Sequence, residues 1–192
     1  KLLSPQFIYA KLLAIYSLIY TLAFAGGCVL FHSLKIEVGQ LANSRISEYF
    51  SVNFTECSCV YDYVDMLLHI SAADISHLII VFSAGFTMLT GIVVSTVYAF
   101  RGFSFGFSIS YLTFAVQNGI IDIKHPHAVI IVYSVLYAAI AVLLINFGVK
   151  TACFADEFKS LCGRPSMIIK SKAVYLHFLR FLVAFGAILL IN

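Results

Sequence analysis

Residues 78–121 read LIIVFSAGFTMLTGIVVSTVYAFRGFSFGFSISYLTFAVQNGII and hold one charged side chain, Arg101, in 44 positions. A helix needs about 20 mostly apolar residues to cross the hydrocarbon core of a bilayer. The stretch is long enough for two crossings, and the arginine reads as their junction. One span is therefore expected over 78–100 and the next over 102–121, joined with almost no connection and folded back as an antiparallel hairpin. Thr87, Gly91 and Ser95 fall four residues apart on the first, and Gly102, Gly106 and Ser110 do so on the second, with Gly85 a further small residue upstream. Small residues at that spacing share one helix face and let two backbones approach closely, which replaces the hydrophobic drive that lipid cannot supply.

Three further apolar runs flank this pair. Residues 12–34 lie uncharged between Lys11 and Lys35, roughly 34 Å of helix at ~1.5 Å per residue. Residues 128–149 end at Lys150, and 174–191 form a fifth run with His177 and Arg180 in its first turns, where both are expected to snorkel toward headgroups. Of the 192 residues, 61% are hydrophobic and 11% charged. Soluble domains carry roughly 25% charged residues, and one core of this size could not hide so much apolar surface. The expected fold is all-α, a polytopic transmembrane bundle of about five spans forming one membrane domain over 1–192. The chain begins with Lys rather than Met and shows no small-residue cleavage site after a short apolar stretch, so the first segment is expected to remain.

Two polar segments separate the runs. In 35–77, Ile36, Leu41, Ile46 and Phe50 make a loose apolar stripe and 60–70 a second, suggesting short helices on the membrane surface. In 150–173, Gly163 and Pro165 mark a break. With the N-terminus cytoplasmic, nine of the twelve Lys and Arg residues face inward, Arg101 among them, and Lys35, Arg45 and Lys124 face outward. That bias sets the N-terminus in and the C-terminus out, making 35–77 an outer loop and 150–173 a cytoplasmic one.

Chemistry-bearing motifs are sparse. Cys28, Cys57, Cys59, Cys153 and Cys162 are too scattered for a disulfide framework. His69, His77, His125 and His127 gather at the expected outer face, with Asp65 four residues before His69 and Asp74 near His77. They are the candidates for a zinc site or a pH-sensing pair. Interfacial histidines beside carboxylates ordinarily bond headgroups and water, so no metal and no cofactor is expected. Nucleophile-elbow, zincin and phosphate-loop patterns do not occur in the sequence, and no expected span carries an acid at its centre; catalysis and proton-coupled transport are accordingly not expected. Gln117 and Asn146 are the deepest amides and read as bridges between helices. Asn53-Phe54-Thr55 matches a glycosylation sequon that has meaning only in a eukaryotic secretory pathway. Pro126 and His127 read as a helix start, because proline in the first turn forfeits no hydrogen bond.

The sequence SAGFTMLTG (83–91), then FRGFSFGF (100–107), Asn118-Gly119 and HPHA (125–128) resembles the stage II sporulation protein M family. Gly85, Gly91, Gly102, Gly106, Pro126 and His127 match its pattern of spaced glycines and a Pro-His pair heading a helix. Ala128 departs from the family's usual glycine, and Ile131 stands where an acid is usual, so no role of that carboxylate carries over. The likeness covers about 75–150. It implies an integral membrane scaffold of the bacterial cell membrane that recruits an extracytoplasmic peptidoglycan hydrolase complex during endospore engulfment. Expected partners are membrane lipids, that complex and further copies of the chain, with no nucleic acid. The alternative is the membrane subunit of a transporter, a permease component energised by a separate protein.

Overall fold

The computed structural model describes residues 5–53, 60–118, 126–161 and 172–191, and all its regular structure there is helical. In chain order the helices are α1 (Pro5–Asn53), α2 (Val60–Ala84), α3 (Thr90–Gln117), α4 (Pro126–Leu161) and α5 (Lys172–Ile191). Gln6–Leu34 of α1, Thr90–Gln117, Ile130–Lys159 and Lys172–Ile191 are long and apolar enough to cross a membrane. Large apolar side chains such as Leu22, Val29, Ile92, Val142 and Val183 cover the outside of the bundle, as they do where lipid replaces water as solvent.

The helix directions follow from which residues meet. Tyr16 packs edge-on against Tyr98, Gly102 abuts Tyr20, Gly106 abuts Phe24, and Phe31 meets Tyr111 and Phe114. Each step up α1 is matched by a step up α3, so the two run parallel. Two consecutive parallel helices need a return between them. α2 supplies it, turning into α3 at residues 85–89 and lying antiparallel to it. α4 runs down beside α3, with Tyr137 on Phe105 and Leu144 beside Tyr98. α5 runs back up along α4.

The expected hairpin at Arg101 does not exist. α3 passes through Arg101 unbroken, and the break falls at 85–89, inside the expected 78–100 span. A charge in an apolar run does not end a helix when another element satisfies it. What ends α2 is hydrogen bonding: the Thr87 and Thr90 hydroxyls each donate to the Ala84 carbonyl, at 2.9 and 2.8 Å. They occupy one of the carbonyls that any helix end leaves without a partner. Gly85 is required at this turn by proximity, since a Cβ there would lie 2.9 Å from the His177 ring and 3.0 Å from the Thr151 methyl.

Other boundaries move for related reasons. Residues 35–53 continue α1 rather than forming a separate surface helix, and no proline or glycine pair stands there to stop it. Residues 60–77 belong to α2. Its apolar part, Ser71–Ala84, is shorter than a full span. α4 begins at Pro126 as expected but runs on to Leu161, through the start of the expected cytoplasmic loop. Gly163 and Pro165 lie outside the described residues.

The small residues also pack differently from expectation. Gly91, Ser95, Gly102, Gly106 and Ser110 all lie on α3, so they cannot face one another across a hairpin. The partner of Gly102 and Gly106 is α1: a Cβ on either would strike the carbonyl of Tyr20 or Phe24, and one on Gly27 would strike that of Phe103. The Cys28 thiol donates to the Gly106 carbonyl at 3.4 Å across the same seam. Gly91 faces open space. Gly106→Ala is therefore expected to push α1 off α3 and lower stability by about 1–3 kcal/mol, the usual cost of overpacking. Gly91→Ala should be neutral or stabilise by up to about 1 kcal/mol, from helix propensity alone. Thermal unfolding of both variants in detergent separates the two outcomes.

Candidate functional site

α3 turns about 100° between successive residues, so adjacent positions serve different neighbours. Gly102 faces α1, while Arg101 points to α2 and α4. The Arg101 guanidinium forms an ion pair with Asp74 of α2, and both residues are buried, at 7% and 2% exposure. Asp74 was assigned by sequence to the outer loop and Arg101 to the cytoplasmic side; the structure brings them together eleven residues into α3. Asp74 lies outside the four helices long and apolar enough to cross a membrane, none of which carries an acid at its centre. An isolated charge in such surroundings is costly, and a direct partner is what makes burial tolerable.

Aromatic groups lie on the Arg101 side of the pair. The Arg101 guanidinium carbon lies 4.8 Å from the centre of the Tyr137 ring, on α4, within the range for a cation held over a π face. Tyr137 is fixed in turn by stacking on Phe105 at 4.9 Å and by Tyr133 at 4.4 Å. On α2, Ser71 and His77 lie one turn either side of Asp74. The buried Ser71 hydroxyl and His77 Nδ1 make no hydrogen bond among the described residues. The result is a polar stripe, Ser71–Asp74–His77, facing Arg101.

A second buried polar group lies nearer the α2–α3 turn. His177 of α5 has no exposed surface. It is stacked on Phe154 at 4.1 Å and on Phe82 at 4.8 Å, with Phe86 edge-on at 5.6 Å. Its Nε2 is 3.3 Å from the Phe82 carbonyl. The expected snorkelling of His177 toward headgroups is thus replaced by an aromatic cage that ties α2, α4 and α5 together. Arg180, one turn on, does reach a surface, in a cleft beside Lys150.

The remaining sequence candidates are dispersed. Asn146 does bridge helices, accepting from the Tyr9 hydroxyl at 2.7 Å, whereas Gln117 is exposed at the end of α3. His127 is exposed in the first turn of α4, directly after Pro126. His77 sits by Phe100, with ring centres 5.9 Å apart. His125 and the side chain of His69 lie outside the described residues. Among the described residues no three His, Cys, Asp or Glu side chains converge as metal ligands.

Sequence reading missed the Asp74–Arg101 pair because it took the charge itself as punctuation. The signal was present: Asp74, Leu78 and Val81 recur at i, i+4 and i+7, which places the carboxylate on the face α2 buries. Compared with protein-family models, curated proteins and solved structures, the chain matches none.

Removing one partner strands the other as a buried charge. Asp74→Asn is expected to lower stability by about 3–5 kcal/mol. The double variant Asp74→Leu with Arg101→Met should recover most of that loss, since apolar residues of similar size replace buried pairs at little cost. Thermal unfolding of the single and double variants in detergent measures both.

Proposed function

We propose that the protein is a membrane scaffold that presents the extension of α1 to a partner outside the lipid layer. The observation that carries this reading is the continuity of α1. Its apolar part ends at Leu34, yet the helix continues to Asn53, about 28 Å further at ~1.5 Å per residue. A rigid arm of that length, rooted on α3 through a backbone-to-backbone seam, suits holding something at a fixed distance from the membrane.

Loop charge supports an orientation for the arm. With Arg101 inside the bundle, eight Lys and Arg residues remain on the side of the α1 N-terminus and three on the other, so the N-terminus is cytoplasmic and the arm extracytoplasmic. In this reading α2 is the fifth crossing, made tolerable by pairing Asp74 with Arg101. Six of the nine acids then lie on the arm's side, a surface suited to a basic partner. The resemblance to the stage II sporulation protein M family supports a peptidoglycan hydrolase complex as that partner, with the cell membrane of an engulfing spore-former as the setting. The chain holds the complex and cuts nothing itself.

A second reading, the membrane subunit of a transporter, draws on one observation: the Asp74–Arg101 pair lies deep in the bundle, where ionisable groups often mark a solute or ion path. Against it, a cleft of about 290 Å³ between α1, α3 and α4 is lined chiefly by apolar side chains such as Phe24, Val142 and Ile145.

Photo-crosslinkers placed singly across 36–52, in membranes of sporulating cells, test the scaffold. Covalent capture of a wall hydrolase or its complex is the expected result. Capture of lipid or of further copies of this chain alone would overturn it, and solute uptake by proteoliposomes of the purified protein would favour the transporter.

A further inference from the structure

α4 and α5 diverge along one side of the bundle and leave a cleft of about 300 Å³. Its walls are apolar, with Leu143 on α4 and Val183 and Ala187 on α5. Val183 is among the most exposed apolar residues, so the cleft opens outward, toward the surrounding lipid. Because the two helices are antiparallel, Lys150 and Arg180 meet at one end of this cleft and Ala187 and Leu143 lie at the other. One end is cationic and the rest is hydrocarbon.

Neither cation forms an ion pair among the described residues. Among the described residues the ion pairs are Asp74–Arg101 and Asp156–Lys159, and no carboxylate lies within pairing distance of Lys150 or Arg180. A third donor stands beside them. Asn146 also lines the cleft, and its carbonyl oxygen is occupied by the Tyr9 hydroxyl, which orients the amide and leaves its NH2 group to donate. Tyr9 and Asn146 meet three residues inside the Gln6 end of the apolar part of α1, so along that helix the polar end of the cleft lies toward one face of the bundle.

We propose that this cleft is a binding site for an anionic glycerophospholipid. Its phosphate is held by Lys150, Arg180 and the Asn146 amide, and one acyl chain lies between α4 and α5 along Val183 and Ala187. Two positive charges with no carboxylate partner match a headgroup of net negative charge better than a zwitterionic one. The apolar wall distinguishes a lipid from a free phosphate ion, which has nothing to place there. The site is independent of the α1 arm and of the Asp74–Arg101 pair.

Native mass spectrometry of the full chain in detergent, with equimolar phosphatidylglycerol and phosphatidylcholine, tests it. One phosphatidylglycerol should be retained in preference to phosphatidylcholine. Near a membrane each cation contributes on the order of 1 kcal/mol, so replacing both in Lys150→Gln/Arg180→Gln should reduce the preference by about thirtyfold. Lys150→Arg should keep it. Ala187→Phe fills the apolar end with both charges in place and should lower retention of either lipid. Equal retention of the two lipids by the unaltered protein, an unchanged preference in the double variant, or displacement of the lipid by millimolar inorganic phosphate would each overturn the proposal.

Discussion

The Asp74–Arg101 ion pair decides how the chain can thread. Opposite charges attract far more strongly in a low-dielectric interior than in water, while either one alone there is severely penalised. The pair therefore fixes α2 against α3 at one depth and in one rotational setting. Tyr137 extends the constraint to α4 by lying over the guanidinium. With α2 so fixed, the chain returns between α1 and α3, and those two helices are free to run parallel.

Parallel helices bring their backbones together through the second constraint, the glycine seam. Lipid is as apolar as leucine, so close contact between spans has to come from dispersion between backbones rather than from expelled water. Gly27, Gly102 and Gly106 leave no space that a methyl group could enter, and α1 packs more extensively on α3 than any other helix pair in the fold. The aromatic cluster of Phe31, Phe107, Tyr111 and Phe114 closes the seam at one end, and the Tyr16–Tyr98 contact lies toward the other. This gives α1 a firm root beneath the length of helix that continues beyond it.

The two ends of the bundle are built differently. At one end, α1 carries its helix on to Asn53. At the other, the His177 cage binds α2, α4 and α5 and keeps Arg180 in register with Lys150 across the α4–α5 cleft. The scaffold proposed above would draw on both features: a stiff arm, and a fixed seat in the lipid layer. An anionic lipid in the cleft would contribute to the second without altering the first.

Composition and run length alone determined that this chain is all-helical and suited to lipid, because so few charges over so many apolar residues admit no soluble core. The helix start at Pro126 was equally legible, since a proline in a first turn is a local signal. What the sequence could not reveal was which charges stay at a boundary and which enter the bundle. Arg101 looks like a loop residue until Asp74, 27 positions earlier, is seen to face it. The glycines at 102 and 106 announced a close contact but not its partner, because spacing fixes a face of one helix and says nothing about which other helix covers it. The true turn at 85–89 was hidden within apolar residues, closed by threonine hydroxyls and by a histidine 92 residues further along the chain. Local chemistry specifies helices; pairing across the fold assigns their neighbours, and only tertiary contact reveals it.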